Sequence, residues 1–169
     1  MSVAASPDIE ILKIAVPTAQ VVVTKNANAI LIAYGLGTCI GLAATDGRVA
    51  GLAHILLPDS EGRTADPKEP ARFADTGVDA LLAALQSAGA SMARLVFKMA
   101  GGASVLGTTN AEKFKIGERN AEAVRERLAH HGHSLAVVET GGTVGRTLEV
   151  HLGAGKMFIR TAATPAREI

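Results

Sequence analysis

The chain has 169 residues, and its 17 Lys and Arg nearly balance its 16 Asp and Glu, giving a formal net charge of +1. This length suits one domain with a sizeable core, so we predict a single domain over residues 1–169. The balanced charge and the 3% aromatic content argue against a nucleic-acid face, an anionic membrane surface or a base-stacking platform. The single cysteine excludes an internal disulfide and a zinc site with several thiolates, and it suits a reducing compartment.

The amino-terminal sequence does not resemble a secretion signal, because it lacks a basic start followed by an apolar run. The longest uncharged apolar segment, residues 29–44, is too short and too glycine-rich to span a membrane. We therefore expect a cytoplasmic protein without direct membrane insertion. We predict a loose terminus at residues 1–8. Short strands are predicted at residues 9–16 and 20–24, on either side of Pro17.

The next predicted element is a β-hairpin centred on the Asp46–Gly47 dipeptide, which lies between two apolar runs. Such a dipeptide is typical of a two-residue turn, because both residues tolerate positive φ. If the turn pairs Thr45 with Arg48, Cys39 lies directly opposite His54. Directly opposed residues share a face of the sheet, with Cβ atoms about 5 Å apart. A thiol and an imidazole at that spacing can exchange a proton, which is the minimum that a cysteine nucleophile requires.

A polar, proline-rich segment follows the hairpin at residues 59–70 and predicts a surface loop. Its place just after His54 suits a lid or a partner-contact segment, and a solvated connector is the alternative. The hydrophobic period then becomes helical, with one apolar face formed by Val78, Leu81, Leu82 and Leu85. Thr76 and Asp79 resemble a capping box at the start of this helix, and Gly89 predicts its end.

The remaining elements alternate between strands and helices. In chain order we predict a strand at 94–99, a turn or short helix at 110–114, a helix at 117–131, a strand at 134–139, a glycine-rich loop at 141–145, and a hairpin of 147–151 with 156–160. The order of strands, helix, strand, helix and strands predicts an α/β domain whose mixed sheets are covered by helices.

Cys39 is the strongest candidate for chemistry. It follows a glycine-rich turn, where backbone N–H groups can point to a developing oxyanion and a substrate can approach the main chain. The candidate oxyanion donors are therefore the N–H groups of Gly37, Thr38 and Cys39. The alternative is that Cys39 is a small buried hydrophobe. The opposed His54 favours chemistry, since histidine is unusual in an apolar run, although a lone histidine there is more often a hydrogen-bonded core residue.

No cofactor or metal is expected from the other motifs. The glycines near Cys39 do not form a dinucleotide fingerprint, because its third glycine would fall at Ile40. Residues 101–107 lack the Gly-Lys-Ser/Thr end of a phosphate loop. Three histidines lie at the predicted end of a helix, where cationic side chains favour the helix dipole, and we prefer this interpretation to a metal site at His130, His131 and His133.

The sequence resembles the chemoreceptor glutamine deamidase family, CheD. The resemblance rests on blocks in family order: GLGTC around Cys39, GLAHILLP around His54, ARFAD at 71–75, KMAGGA at 98–103, IGERN at 116–120 and GGTVGR at 141–146. It implies a fold of mixed β-sheets packed as a sandwich and flanked by helices, similar to the catalytic domain of deamidating cytotoxic factors. It also implies conversion of selected glutamine side chains on the cytoplasmic helices of chemoreceptors to glutamate, with methyl-ester hydrolysis in some members.

In this resemblance Cys39 is the nucleophile and His54 the general base, and the implied partners are chemoreceptors and a CheC-type phosphatase. The third catalytic residue of the family is a threonine six positions before the cysteine, where this chain has Ala33. The main alternative is therefore a receptor- or phosphatase-binding adaptor with weakened chemistry, and a more remote one is a cysteine hydrolase acting on another amide. Pairing of His54 with Cys39 predicts a depressed thiol pKa and rapid alkylation near neutral pH.

Overall fold

The computed structural model describes residues 10–104 and 115–169, so the predicted loose terminus at 1–8 and the turn or short helix at 110–114 lie outside the described residues. The described chain forms two five-stranded sheets. Sheet A contains, in spatial order, β1 (Leu12–Ala15), β3 (Ala29–Leu36), β8 (Arg146–His151), β9 (Lys156–Arg160) and β10 (Arg167–Glu168). Sheet B contains β2 (Val21–Thr24), β5 (Ala50–Ile55), β4 (Ile40–Thr45), β6 (Val96–Gly101) and β7 (Leu135–Thr140).

Both sheets are mixed. In sheet A β1 pairs parallel with β3, in sheet B β6 pairs parallel with β7, and the other neighbouring strands are antiparallel. Helices α1 (Ala74–Ser87) and α2 (Ile116–His130) pack on sheet B and on each other. The predicted α/β fold with a sandwich of mixed sheets and flanking helices is confirmed. A short 3₁₀ helix, Met92–Arg94, precedes β6. Among the described residues, no helix is long and apolar enough to cross a membrane.

Two apolar cores give the fold its layers. One core lies between the helices and sheet B and includes Val78, Leu81 and Leu85 of α1, the face predicted from the helical period. The second core lies between the sheets, where side chains of β3 and β8 meet side chains of β4 and β5. Sheet B is therefore covered on both faces, which explains why every residue of β4 and β5 is buried.

The register predicted for the central hairpin is wrong. Thr45 pairs with Ala50 rather than Arg48, so His54 lies opposite Gly41 instead of Cys39. The two residues at the tip are consequently Gly47, with φ +88°, and Arg48, because the backbone N–H of Asp46 donates to the carbonyl of Val49 (3.3 Å).

The carboxylate of Asp46 explains this turn. It accepts hydrogen bonds from the backbone N–H groups of Arg48 (2.9 Å), Val49 (2.8 Å) and Ser91 (2.7 Å). Desolvation opposes ionisation of the carboxyl, but these three bonds prevail and lower its pKa to about 2. An aspartate that accepts hydrogen bonds from the N–H groups two and three residues further on occupies the first position of the turn and not its tip.

The start of α1 also differs from its prediction. The helix begins at Ala74 after Phe73, whose side chain makes no capping hydrogen bond. Thr76 and Asp79 therefore lie inside the helix, and Asp79 binds Arg127 (2.5 and 2.7 Å) and His131 (2.7 Å) instead of forming a capping box. The predicted end is confirmed, since Gly89 adopts φ +84° directly after the C-cap residue.

The loop between β5 and α1 begins at a fixed point. Ser60 is buried, and its backbone N–H (3.1 Å) and hydroxyl (2.5 Å) both donate to the carboxylate of Asp75 in the first turn of α1. Residues 61–68 beyond it are all exposed. The segment is thus anchored to α1 at Ser60, and beyond that residue it runs over the surface.

Candidate active site

The predicted nucleophile lies where the chain crosses from one sheet to the other. Residues Gly37–Cys39, which we name the cysteine turn, connect the end of β3 in sheet A to the start of β4 in sheet B. Cys39 is partly exposed and packs against the core between the sheets. A thiol in this place is both held by the fold and open to a substrate.

All three carbonyl groups of the cysteine turn accept hydrogen bonds. The Gly37 carbonyl accepts from the backbone N–H of Ala103 (2.7 Å), and the Cys39 carbonyl accepts from the backbone N–H of Gly102 (2.9 Å). The Thr38 carbonyl accepts from the side-chain amide of Asn120 (2.8 Å). The end of β6 and helix α2 therefore fix the turn through its backbone.

The bound carbonyls determine where the N–H groups of the turn point. In a trans peptide the carbonyl and the following N–H point in opposite directions, and the described residues contain no cis peptide. The N–H groups of Thr38 and Cys39 are therefore directed away from Ala103 and Asn120. Within the described chain, neither N–H donates to a backbone carbonyl. This geometry suits two of the three predicted oxyanion donors, Thr38 and Cys39, and the role of all three stays a prediction.

The glycine pair at the end of β6, Gly101 and Gly102, allows this close packing. Gly101 has φ +116°, and a Cβ atom there would overlap the carbonyl oxygen of Cys39. Gly102, with φ +62°, donates the hydrogen bond to that same carbonyl. Only residues without a side chain can bring this backbone so near the cysteine turn.

His54 lies on the face of sheet B that is turned to sheet A. Its partner across the hairpin, Gly41, has the side chains of Leu36 and Leu148 from sheet A next to its Cα. Paired residues in a sheet share a face, so the His54 side chain is directed into the same layer. The observed register differs from the predicted one by two residues, an even number, so the side chain of His54 stays on the predicted face, the one towards which Cys39 also packs.

The imidazole of His54 is 5% exposed and is held by the segment before β2. Its Nδ1 lies 3.0 Å from the carbonyl oxygen of Val16. A carbonyl can only accept, so Nδ1 carries the hydrogen and Nε2 keeps its lone pair. The backbone of His54 is bound to the same segment through Gln20 (2.9 Å) and Ala19 (2.8 Å). The ring is thus fixed in the tautomer that a general base needs.

Ala33 is fully buried in β3, opposite Leu148, in the core between the sheets. It offers no hydrogen-bonding side chain to an imidazole. In this structure the group that binds Nδ1 of His54 is instead the main-chain carbonyl of Val16. Sequence reasoning missed Val16, because a backbone acceptor leaves no signature in the side-chain sequence.

The surroundings of the two candidate residues favour their uncharged forms near neutral pH. Burial raises the pKa of the Cys39 thiol, a shift opposed by its own backbone N–H. Burial lowers the pKa of His54, a shift opposed by the bond to Val16. No hydrogen bond joins Cys39 to His54, two residues that the structure describes. The expected depression of the thiol pKa is therefore wrong for the resting site, and the proton must move when a substrate is attacked.

The histidine group at the end of α2 is divided among different contacts. Nε2 of His131 donates a hydrogen bond to the Asp79 carboxylate (2.7 Å), and the centre of the His133 ring lies 5.0 Å from that of the Phe97 ring. His130 takes part in one aromatic pair of the described residues, an edge-to-face contact with His131. Within the described part of the chain, these side chains do not belong to any group of three or more His, Cys, Asp or Glu residues that could hold a metal ion.

Comparison with known proteins places the chain among chemotaxis proteins. Residues 56–161 match the family described as CheD chemotactic sensory transduction. A protein of Symbiobacterium thermophilum named probable chemoreceptor glutamine deamidase CheD is 40% identical over 158 residues, which cover 92% of this chain and 96% of that protein. The alignment with it therefore extends across Cys39, His54 and Asn120.

Two further relatives show similar likeness. A protein of Moorella thermoacetica with the same name is 43% identical over 143 residues, covering 82% of this chain and 85% of the relative. The chemoreceptor glutamine deamidase CheD of Thermotoga maritima is 37% identical over 140 residues, again covering 82% of this chain and 85% of the relative. Both likenesses extend over most of each chain.

Proposed function

This chain belongs to the CheD family, and we propose that it is a cysteine-dependent deamidase that converts glutamine side chains on the cytoplasmic helices of chemoreceptors to glutamate. Three relatives that carry the name chemoreceptor glutamine deamidase support the substrate class. The observation that carries the chemistry is the bond from His54 Nδ1 to the Val16 carbonyl. It leaves Nε2 as an acceptor in the layer where Cys39 packs.

In the first half of the proposed reaction, Nε2 of His54 takes the proton of the Cys39 thiol as Sγ attacks the carboxamide carbon of glutamine. The carbonyl oxygen becomes an oxyanion that the N–H groups of Thr38 and Cys39 stabilise. The imidazolium then gives its proton to the amide nitrogen. The C–N bond breaks, ammonia leaves, and the glutamyl group stays on Cys39 as a thioester.

In the second half, Nε2 of His54 takes a proton from water, and the resulting hydroxyl attacks the thioester carbon. The C–S bond breaks, glutamate leaves, and the proton on His54 returns to the sulfur. One water is consumed and one ammonia is released for each glutamine. The raised pKa of the thiol and the lowered pKa of the imidazole fit this cycle, because both groups start and finish uncharged.

Mass spectrometry of a purified chemoreceptor cytoplasmic fragment tests this proposal. The parent protein should convert particular glutamines to glutamates, and Cys39→Ala should leave their masses unchanged. Equal conversion by the parent and Cys39→Ala would overturn the cysteine mechanism. Unchanged glutamine masses with the parent would overturn the deamidase function.

A second candidate, a receptor- or phosphatase-binding adaptor, is favoured by one observation: buried Ala33 stands where the family has its third catalytic residue. Such a protein would bind the receptor fragment or a CheC-type phosphatase equally well with and without Cys39, and neither form would deamidate the receptor fragment. Measuring binding and deamidation on the same samples of parent and Cys39→Ala separates the two functions.

A further inference from the structure

Asn120 of α2 is a polar side chain buried beneath the cysteine turn. It is 0% exposed, and its amide nitrogen donates to two main-chain carbonyls, that of Thr38 at 2.8 Å and that of Leu56 at 3.1 Å. Thr38 directly precedes the nucleophile, and Leu56 lies two residues after His54. One side chain therefore binds both segments that carry the proposed chemistry.

The orientation of this amide follows from its partners. If the nitrogen and oxygen were exchanged, Oδ1 of Asn120 would face two carbonyl oxygens that cannot donate. In the observed orientation Oδ1 has no hydrogen-bond partner among the residues that the structure describes. A buried, unpaired acceptor destabilises the fold. Asn120 thus holds the two carbonyls at a cost in stability, as is common for groups at functional sites.

We propose that Asn120 is a positioning residue for the deamidation. By binding the Thr38 carbonyl it fixes the plane of the Thr38–Cys39 peptide, so that the Cys39 N–H, which points the opposite way, is aimed at the oxyanion. Its bond to Leu56 holds the end of β5 at a constant separation from the cysteine turn. This inference rests on the proposed function, and it assigns Asn120 no contact with the substrate.

A positioning role and a purely structural role predict different behaviour towards two reactions of Cys39. Deamidation develops an oxyanion and needs the directed N–H. Alkylation of the thiol by iodoacetamide is a direct displacement that forms no oxyanion. Loss of a positioning residue should therefore slow deamidation and leave alkylation nearly unchanged. Loss of a merely structural residue should lower deamidation in proportion to the lost folded protein and speed up alkylation, because unfolding exposes the thiol.

The experiment compares Asn120→Ala with Val124→Ala, a matched truncation one turn further along the same helix at a residue that is also 0% exposed. With a purified chemoreceptor cytoplasmic fragment as substrate, kcat of Asn120→Ala should fall about 10- to 100-fold, with KM changed by less than about threefold. Its iodoacetamide rate at the same pH should stay within about threefold of the parent. Val124→Ala should lower Tm while keeping kcat within about threefold of the parent.

Asn120→Asp gives a second measurement, which also serves if Asn120→Ala does not fold. It keeps the volume but can donate only when the carboxyl is protonated, so its kcat relative to the parent should rise as pH falls. Parent-like kcat in a folded Asn120→Ala, or equal kcat losses in the two truncations at equal Tm loss, would overturn the inference and leave the deamidase function standing. An inactive parent would overturn both.

Discussion

The two halves of the candidate site are held in opposite ways. The cysteine turn is fixed through its backbone, because three carbonyls accept hydrogen bonds while the thiol stays partly exposed. His54 is fixed through its side chain, because its imidazole is buried and bound to the Val16 carbonyl. The thiol must stay open to a large protein substrate, and the imidazole must keep one orientation. The hydrogen bonds accordingly hold groups that take no part in bond making: the carbonyls of the cysteine turn and Nδ1 of His54.

This difference predicts where substitutions do damage. The cysteine turn depends on side chains, or their absence, in other elements, namely Gly101, Gly102 and Asn120. The imidazole of His54 depends on a peptide carbonyl that no substitution at Val16 removes. The half that carries the nucleophile should consequently be the more sensitive to single substitutions outside the two reacting residues.

Outside the two reacting residues, the largest expected combined effect on stability and activity is that of Gly101→Ala. The new Cβ would overlap the Cys39 carbonyl oxygen at φ +116°, so we expect a loss of about 3 kcal/mol or more in unfolding free energy, and about a tenfold or greater loss of kcat. Denaturant unfolding and the deamidation assay measure the two quantities.

Gly62→Ala is the matched control for this change. Gly62 also has positive φ, +75°, but a Cβ atom there would meet no atom within 4 Å beyond the adjoining residues, so only backbone strain of about 1 kcal/mol is expected, with unchanged kcat. Similar losses from the two variants would show that closeness to the cysteine turn is irrelevant.

An intermediate effect is expected from pH. The lowered pKa of His54 means that the imidazole stays neutral below the ordinary value, so the acid limb of deamidation should have its midpoint below about 6.5. The raised pKa of Cys39 places the midpoint of iodoacetamide alkylation above that of an ordinary cysteine thiol. A thiolate–imidazolium pair at rest would instead give fast alkylation at neutral pH, and that profile would contradict the uncharged site.

The smallest effect on activity is expected from Ala33→Thr, which introduces the side chain that the family resemblance places there. Since Nδ1 of His54 is already bound by Val16, kcat should change by less than about threefold, while a buried hydroxyl should cost about 1–2 kcal/mol of stability. Ala43→Thr, at another fully buried residue of the same core, is the control. A tenfold gain in kcat from Ala33→Thr alone would show that the Val16 carbonyl does not replace the threonine.

Much of the fold could be predicted, because the spacing of apolar residues along a helix or strand shows which of its faces is buried. The alternation of the hairpin placed His54 on the correct face, although its register is displaced by two residues. The register depended on Asp46, whose carboxylate binds three backbone N–H groups, and dipeptide statistics do not contain such bonds. The start of α1 was misplaced for a similar reason, because no side chain caps the helix.

The site was predictable as far as its reacting side chains. Cys39 and His54 stand out by residue type, and both remain predictions as catalytic groups. The two groups that hold them in place, the Val16 carbonyl and the Asn120 side chain, do not stand out in the sequence. Val16 acts through its backbone, and Asn120 lies on a helix where a polar residue ordinarily indicates the solvent face. Only the packing of α2 against the cysteine turn reveals that Asn120 is buried.

The most direct test of the central claim, that His54 is the base for a neutral Cys39 thiol, compares the parent with His54→Ala in two assays. Deamidation of a chemoreceptor cytoplasmic fragment should fall about 10²- to 10⁴-fold. Alkylation by iodoacetamide, measured above the thiol pKa where no base is needed, should be equal in both proteins. His151→Ala in sheet A is the control and should keep parent activity. Deamidation by folded His54→Ala within tenfold of the parent would contradict the account.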